Sequence, residues 1–273
     1  MHALRSFQHA YAKFTRDDGW AIASHVALST LTALFPFLIF LTTLAAFIGR
    51  EEMALSATNL LFDGWPEQIA HPLSREITAV LTQPHGGLLT VSAVLSIYFS
   101  SSGVEAMRVA LNRAYDARDH RPWWLLRLEA IVFVIVGAAS LLVIAFLLVL
   151  APLVWALVDR YAPEFVHHLE LLKPATRYGV STLVLGVGLI GAHTILPARR
   201  PPLPAVAPGI LLTLALWLAF GVGFGDYLLH FADNYIVTYA GLASIMMALV
   251  FLYALSAIFI FGAELNQTLR REG

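Results

Sequence analysis

Residues 108–127 read RVALNRAYDARDHRPWWLLR, and this stretch decides how the rest of the chain is arranged. It is the most charged run of the chain, and it lies between two long stretches without Asp, Glu, Lys or Arg, residues 77–104 and 130–158. A run of roughly 20 apolar residues is long enough to cross the hydrocarbon core of a bilayer. The sequence therefore predicts a basic loop that joins two membrane spans. Its five arginines are Arg108, Arg113, Arg118, Arg121 and Arg127.

The composition of the whole chain indicates a membrane protein. Hydrophobic residues make up 59% of the 273 residues and charged residues only 13%, against about 25% in soluble globular domains. The formal net charge of −1 does not favour a nucleic acid as a partner. Because the chain has no cysteine, disulfides, thiolate metal sites and cysteine nucleophiles are excluded.

The apolar stretches predict an all-α fold, a polytopic membrane helix bundle that forms a single domain over residues 1–273. In residues 1–18, Leu4, Phe7, Tyr11 and Phe14 recur at helical spacing, which predicts a cytoplasmic interfacial helix. Residues 50–84 are predicted to form a periplasmic amphipathic segment at the opposite interface. The six predicted transmembrane helices cover residues 23–48, 86–106, 130–157, 178–197, 208–229 and 239–262.

The distribution of basic residues predicts the orientation of this bundle. With six spans, the N-terminus, the loop 108–127, the turn 199–204 and the C-terminus all lie on one side of the membrane. These segments hold three, five, two and two of the 17 Lys and Arg residues. Cytoplasmic segments are enriched in Lys and Arg, so both termini are expected in the cytoplasm, with the protein in the bacterial inner membrane.

Polar residues gather at the cytoplasmic ends of the predicted spans, where charged groups are costly unless they are paired or hydrated. One interpretation is a structural cluster in which Glu264 or Glu105 pairs with Arg108 or Arg113. The other is a gate or a headgroup-binding site. The candidate binding residues are Glu105, Arg108, Asn112, Arg113, Asp116, Arg121, Arg127, Glu264 and Asn266.

Arginine and tryptophan alternate within the loop itself. Arg118, Arg121 and Arg127 surround Trp123 and Trp124. Tryptophan favours the headgroup level of a bilayer, and arginine binds phosphate through two parallel hydrogen bonds. The predicted partners are therefore membrane lipids, namely anionic headgroups at the cytoplasmic face.

Small polar residues in the first two spans have two interpretations. Ser96, Ser100 and Thr32 are candidates for the lining of a cavity, or they permit close helix packing. Gly221 and Gly225 form a GxxxG pair, which permits a homo-oligomer.

The sequence predicts no catalytic residue, metal site or cofactor. Asp226, His230 and Asp233 share one helix face near the outer end of the fifth predicted span. Polarity at a helix end accounts for these residues without a metal. A catalytic dyad or a metal cluster is not visible, so an enzyme is not favoured.

Several motifs together resemble the YihY/BrkB family (UPF0761) of bacterial inner-membrane proteins. They are ALSTLTALFPFLIF at 27–40, LNRAYD at 111–116, RPWWLLR at 121–127, Pro208–Gly209, Tyr235, Tyr239, and GAELN at 262–266. Many members have two aromatic residues where this chain has Leu28 and Ser29. The family also carries the label ribonuclease BN, but the sequence has no HxHxDH run with which such a nuclease would hold zinc.

Two function hypotheses follow. The first is transport or flipping of a lipid or amphipathic substrate for the cell envelope, which the resemblance also implies because a relative is linked to lipid A export. It predicts a cavity lined by Ser96, Ser100 and the Glu105–Arg108 group. The alternative is a non-transporting scaffold or envelope assembly factor, which predicts that the same serines are buried against other helices.

Overall fold

The structure is a computed structural model, and it describes residues 2–47, 62, 66–71, 74, 89–161, 172–239 and 242–272. All regular secondary structure in these ranges is helical, as predicted. The long helices are α1 (His2–Arg16), α2 (Gly19–Phe47), α3 (Leu89–Ala114), α4 (Trp123–Tyr161), α5 (Leu172–Ile195), α6 (Leu203–Tyr239) and α7 (Ala243–Glu272).

A tight turn separates the N-terminal helix from the first apolar helix. Asp18 has a φ of 57°, which breaks the helical path between α1 and α2, and its carbonyl then accepts the N–H of Ile22. Gly19 follows because a Cβ at this position would overlap the ring of Phe14. The helix predicted over residues 1–18 is thus present, while its place on the membrane surface stays a prediction.

Two apolar clusters hold the bundle together. The first cluster joins α2, α4, α6 and α7 and is centred on residues such as Leu38, Leu228 and Phe251. The second cluster lies on the side of α1 and of the loop 115–122, and it includes Phe14, Leu111 and Ile260. Helices α2, α6 and α7 contribute to both clusters, and α7 has buried residues along almost its whole length, from Ala243 to Thr268, so it is the central helix of the described part of the bundle.

Helices α6 and α7 cross at two glycines. A Cβ on Gly209 would overlap the carbonyl oxygen of Gly262, and a Cβ on Gly262 would overlap Oγ1 of Thr213. Only glycine permits two backbones to approach so closely. The crossing brings the C-terminal part of α7 against the first turns of α6, next to the polar residues described below.

Four of the described helical segments are long and apolar enough to cross a membrane: Gly19–Leu41, Trp123–Val143, Leu203–Phe231 and Ala243–Glu272. The two other predicted spans fall on α3 and α5. Helix α3 carries charged residues in its last three turns, and the described apolar part of α5 is the shorter segment Thr182–Ile195. The count of six spans therefore stays a prediction.

Most of the predicted periplasmic segment 50–84 lies outside the described residues. Within its described part, a helical turn begins after Pro66, whose carbonyl accepts the N–H groups of Ile69 and Ala70 at 2.9 Å. Ile69 is completely buried in the first apolar cluster. This short piece therefore packs on the bundle.

Candidate functional site

The C-terminal ends of α1, α3 and α7 meet around one lysine. The Lys13 ammonium lies 2.6 Å from Glu264 Oε2 and 2.7 Å from Asp17 Oδ2, and it donates to the carbonyl of Ala114 at 3.0 Å. Lys13 is only 5% exposed and Glu264 1%. Burial acts to lower the pKa of Lys13, but its hydrogen bonds with Asp17 and Glu264 outweigh that effect and raise the pKa above its usual value.

Asp116 continues this cluster towards the end of the chain. Its carboxylate accepts hydrogen bonds from Gln267 at 3.1 Å and from Arg271 at 2.8 Å, and it lies 3.6 Å from the Lys13 ammonium. Asp116 has a φ of 50°, so the backbone turns sharply here at the end of α3. The terminal Glu272 accepts hydrogen bonds from Ser6 and from His9 of α1. Together these contacts tie the two ends of the chain to each other.

Asn266 anchors a second, buried set of contacts. Its Oδ1 accepts the N–H of Gly209 at 2.6 Å, and its Nδ2 donates to the Tyr115 hydroxyl at 3.3 Å. The same hydroxyl lies 2.7 Å from Nδ1 of the buried His193. Burial raises the pKa of Tyr115 well above its usual range, so the phenol stays protonated. Side chains from the ends of α3, α5 and α7 are thereby joined to the start of α6.

Asp119 organises the basic loop. Its carboxylate accepts hydrogen bonds from Arg108 at 3.1 Å and from Asn112 at 3.0 Å. Arg121 binds it through Nε at 2.9 Å and through a terminal nitrogen at 2.8 Å. The hydrogen bonds from Arg121 hold the pKa of Asp119 well below its usual range, and those to Asp119 raise the pKa of Arg121. Both groups are therefore charged at neutral pH.

Arg121 also joins the basic loop to the turn between α5 and α6. It binds Glu129 at 2.7 Å and donates to the carbonyl of Leu196 at 3.1 Å. Glu129 in turn lies 3.3 Å from Arg200, and Asn112 Oδ1 accepts the N–H of Ala198 at 2.7 Å. The loop 115–122 and the turn 196–202 thus form one continuous surface, which we call the rim surface.

Arg127 forms a separate pair on the outer side of α3. It binds Glu105 at 2.6 Å, donates to the carbonyl of Tyr98 at 2.6 Å, and lies 3.7 Å from the centre of the Tyr98 ring. These three contacts attach the first turns of α4 to α3.

Other side chains of the rim surface point outward. Arg118 and Arg199 are exposed, and no ion pair joins either of them to another described residue. The side chain of Arg200 is 63% exposed despite its contact with Glu129. Trp123 and Trp124, at the start of α4, are 78% and 56% exposed. Among the described residues, the rim surface therefore presents exposed guanidinium groups without an ion pair, and two exposed indoles follow the loop in sequence.

The predicted polar cluster exists, but the predicted ion pairs are wrong. Glu264 pairs with Lys13 rather than an arginine, and Glu105 pairs with Arg127. Arg113 is exposed, and its one carboxylate neighbour among the described residues is Asp18, at 3.9 Å. The structure brings together Glu264 and Asp116 in one group, Arg108, Asn112 and Arg121 in another, and Glu105 and Arg127 in a third. Whether any of these residues binds a ligand stays a prediction.

Sequence reasoning missed several central residues: Lys13, Tyr115, Asp119, Glu129 and His193. A signal was available for Lys13, because it falls on the apolar face of α1 together with Ala10 and Phe14. No comparable signal marks Asp119, which lies in a loop without periodicity.

Two of the residues predicted to line a cavity, Ser100 and Thr32, donate hydrogen bonds within their own helices. Ser96 and Ser100 are buried, and the Ser100 hydroxyl donates to the carbonyl of Ser96 in its own helix. Thr32 is exposed and donates to the carbonyl of Leu28 at 2.9 Å. Near these serines, Gly103 packs α3 closely against α2, since a Cβ there would lie 3.3 Å from that of Ala33. The described part of this helix face is packed.

The long apolar helices and their charged ends define the class: this is an integral membrane protein built from α-helices. The family model described as "Virulence factor BrkB" matches residues 10–273, so the chain belongs to the BrkB family.

Three relatives have similar sequences over most of this chain. It is 29% identical to "Putative ribonuclease-like protein YfkH" of Bacillus subtilis strain 168, over 96% of this chain and 94% of the relative. It is 26% identical to "UPF0761 membrane protein PSHAa0171" of Pseudoalteromonas translucida, over 92% and 81%. It is 27% identical to "UPF0761 membrane protein RC1_0578" of Rhodospirillum centenum, over 98% and 58%. No solved structure matches the chain.

Proposed function

We propose that this protein binds the headgroups of anionic lipids at the cytoplasmic face of the bacterial inner membrane, as part of moving a lipid or amphipathic substrate for the cell envelope. The exposed arginines of the rim surface carry the proposal. Arg118 and Arg199 make no ion pair with a described residue. By contrast, the less exposed Lys13, Arg108 and Arg121 each form an ion pair with a carboxylate. Guanidinium groups bind phosphate strongly and bidentately.

The neighbouring tryptophans support a lipid as the ligand rather than a soluble anion. Trp123 and Trp124 are exposed at the start of an apolar helix that is long enough to span a bilayer. Indole rings favour the level of the headgroups. A lipid at this surface would contact arginine with its phosphate and tryptophan with its glycerol region and upper chains.

The predicted binding residues have a positioning role in this proposal. Arg108, Asn112 and Arg121 hold Asp119, and Arg121 holds Glu129. These contacts fix the loop 115–122 against the turn 196–202. Substituting Arg108 or Arg121 would therefore disturb the surface itself, whereas Arg118 and Arg199 test headgroup contact directly.

A non-transporting scaffold or envelope assembly factor is the second candidate. The burial of Ser96 and Ser100, with Ser100 bonded within its own helix, favours it over a polar pathway along α3. Ribonuclease activity, which the name of the Bacillus relative suggests, is not part of the proposal. The sequence lacks the run of His and Asp residues with which a metal-dependent nuclease would hold zinc.

A lipid-flipping assay distinguishes the two candidate functions, transport and scaffolding. The protein would be reconstituted into liposomes that contain a trace of fluorescent phosphatidylglycerol, and an impermeant reductant would bleach the outer leaflet. A transporter increases the bleached fraction above that of protein-free liposomes, and Arg118→Gln/Arg199→Gln reduces this increase while Arg5→Gln does not. A bleached fraction equal to that of protein-free liposomes would reject lipid movement and leave the scaffold.

A further inference from the structure

The rim surface carries more positive charge than its own carboxylates can neutralise. With Arg108 and Glu129 counted from the flanking helices, its cations are Arg108, Arg118, Arg121, Arg199 and Arg200, and its anions are Asp116, Asp119 and Glu129. Five cations against three anions leave a surplus of two positive charges. The nearby pair of Arg127 and Glu105 is neutral and adds nothing to this surplus.

The surplus charge is divided between two sides of a neutralised centre. Asp119, Arg121 and Glu129 form a continuous row of ion pairs at 2.8 Å and 2.7 Å. Arg118 precedes Asp119 at one end of this row, and Arg200 contacts Glu129 at the other end, with Arg199 beside it in the chain. The rim surface thus has two basic positions, one in the loop 115–122 and one in the turn 196–202.

A headgroup with one phosphodiester carries one negative charge and satisfies one of these positions. Two phosphates in a single headgroup satisfy both, and joining two binding events in one molecule raises the affinity through the effective concentration of the second event. We infer that the lipid bound at the rim surface carries two phosphate groups, one held by Arg118 and the other by Arg199 and Arg200. This inference rests on the proposed function, since it assigns the class of lipid to the same surface.

The exposed indoles of Trp123 and Trp124 follow the loop directly in sequence. They make a membrane lipid a better occupant than a soluble diphosphate, because an indole gains from contact with the acyl-glycerol region.

The test compares two lipids at equal phosphate concentration. The full-length protein in mild detergent is first loaded with fluorescent cardiolipin, in which one glycerol joins two phosphates. Unlabelled cardiolipin or twice the molar amount of phosphatidylglycerol is then added as competitor. We expect cardiolipin to compete about tenfold better per phosphate, which is below the roughly hundredfold or greater gain that bivalent binding can give when both sites are well matched.

Variants separate this inference from the proposed function. In Arg118→Gln, one basic position is lost, so the preference for cardiolipin should fall to near unity while phosphatidylglycerol still competes. Arg5→Gln, an exposed arginine of α1, removes the same charge elsewhere and should keep the preference.

Equal competition per phosphate in the wild type would overturn the two-phosphate inference and leave the proposed function standing. Failure of both lipids to bind would overturn both. Displacement of cardiolipin by inorganic pyrophosphate at equal concentration would overturn the assignment of a lipid as the occupant.

Discussion

The ammonium of Lys13 lies 2.6 Å from the carboxylate of Glu264, although the two residues are 251 positions apart in the chain. Both are buried, so this ion pair fastens the N-terminal helix α1 to the C-terminal part of the central helix α7. Removing one partner of a buried pair leaves an uncompensated charge, whereas removing both partners does not.

Lys13→Met is expected to destabilise the protein by about 3–5 kcal/mol, the typical cost of breaking a buried ion pair. The double variant Lys13→Met/Glu264→Leu should lose less free energy of unfolding than the sum of the losses in the two single variants, because neither charge of the pair remains. Unfolding in mixed detergent micelles, followed by circular dichroism, measures each free energy. Arg16→Met is the control, since the Arg16 side chain is 70% exposed. Equal effects of Lys13→Met and Arg16→Met would contradict the role of the pair.

Asp119 should make the stability of the protein depend on pH in the acidic range. Its folded-state pKa lies below its usual range because Arg121 binds the carboxylate. The contribution of ionised Asp119 to the free energy of unfolding is therefore complete above its unfolded-state pKa of about 4, and it is lost as the pH falls through its folded-state pKa.

The matching variant is Asp119→Asn. At pH 7 it should be less stable than the wild type by about 1–3 kcal/mol, the usual cost of losing charged hydrogen bonds. The difference should narrow below about pH 4. Tryptophan fluorescence during thermal unfolding, recorded from pH 7 downwards, follows both proteins. A difference that stays constant over the whole range would show that the ion pairs of Asp119 do not stabilise the fold.

The crossing of α6 and α7 predicts that Gly262 cannot be enlarged. In Gly262→Ala the new methyl group would overlap Thr213 Oγ1 and lie 2.8 Å from the carbonyl oxygen of Gly209. Overpacking of this kind costs about 1–3 kcal/mol. Gly223→Ala is the matched control, because nothing lies within 4 Å of a Cβ at that position of α6. The apparent melting temperature should fall only for Gly262→Ala, and a fall of the same size in both variants would refute the close crossing.

The orientation can be tested with single introduced cysteines, because the chain has no native cysteine that would have to be removed first. Arg199→Cys is predicted to face the cytoplasm, and His167→Cys the opposite side of the membrane. An impermeant maleimide added to intact spheroplasts should therefore label His167→Cys alone, and it should label Arg199→Cys only after permeabilisation. The reverse pattern would invert the predicted topology, and labelling of both positions from one side would reject the six-span count.

The helices were predictable from sequence because each uncharged stretch is long enough to require a helix in a bilayer. The polar character of the ends of these helices was also predictable, since charges flank the apolar runs. The ion-pair partners of those charges were not predictable. Periodicity places Glu264 on a face of α7, but it does not reveal that α1 packs there and brings Lys13 into contact.

The sequence also did not show which arginines form ion pairs with described residues and which do not. Arg118 and Arg121 are three residues apart in a basic run and look equivalent in the sequence. Only the fold shows that Arg121 is held by Asp119 and Glu129 while Arg118 is exposed. Of the three loop arginines predicted to contact headgroups, Arg118 is therefore the one kept in the proposal, and Arg199 is added to it.

Native mass spectrometry of the protein purified in mild detergent tests headgroup binding most directly. The wild type and Arg5→Gln are predicted to retain one class of anionic lipid, and Arg118→Gln/Arg199→Gln is predicted to lose it while eluting as a folded protein in size-exclusion chromatography. The same bulk lipids in all three proteins, at the same abundance, would contradict lipid recognition by the rim surface.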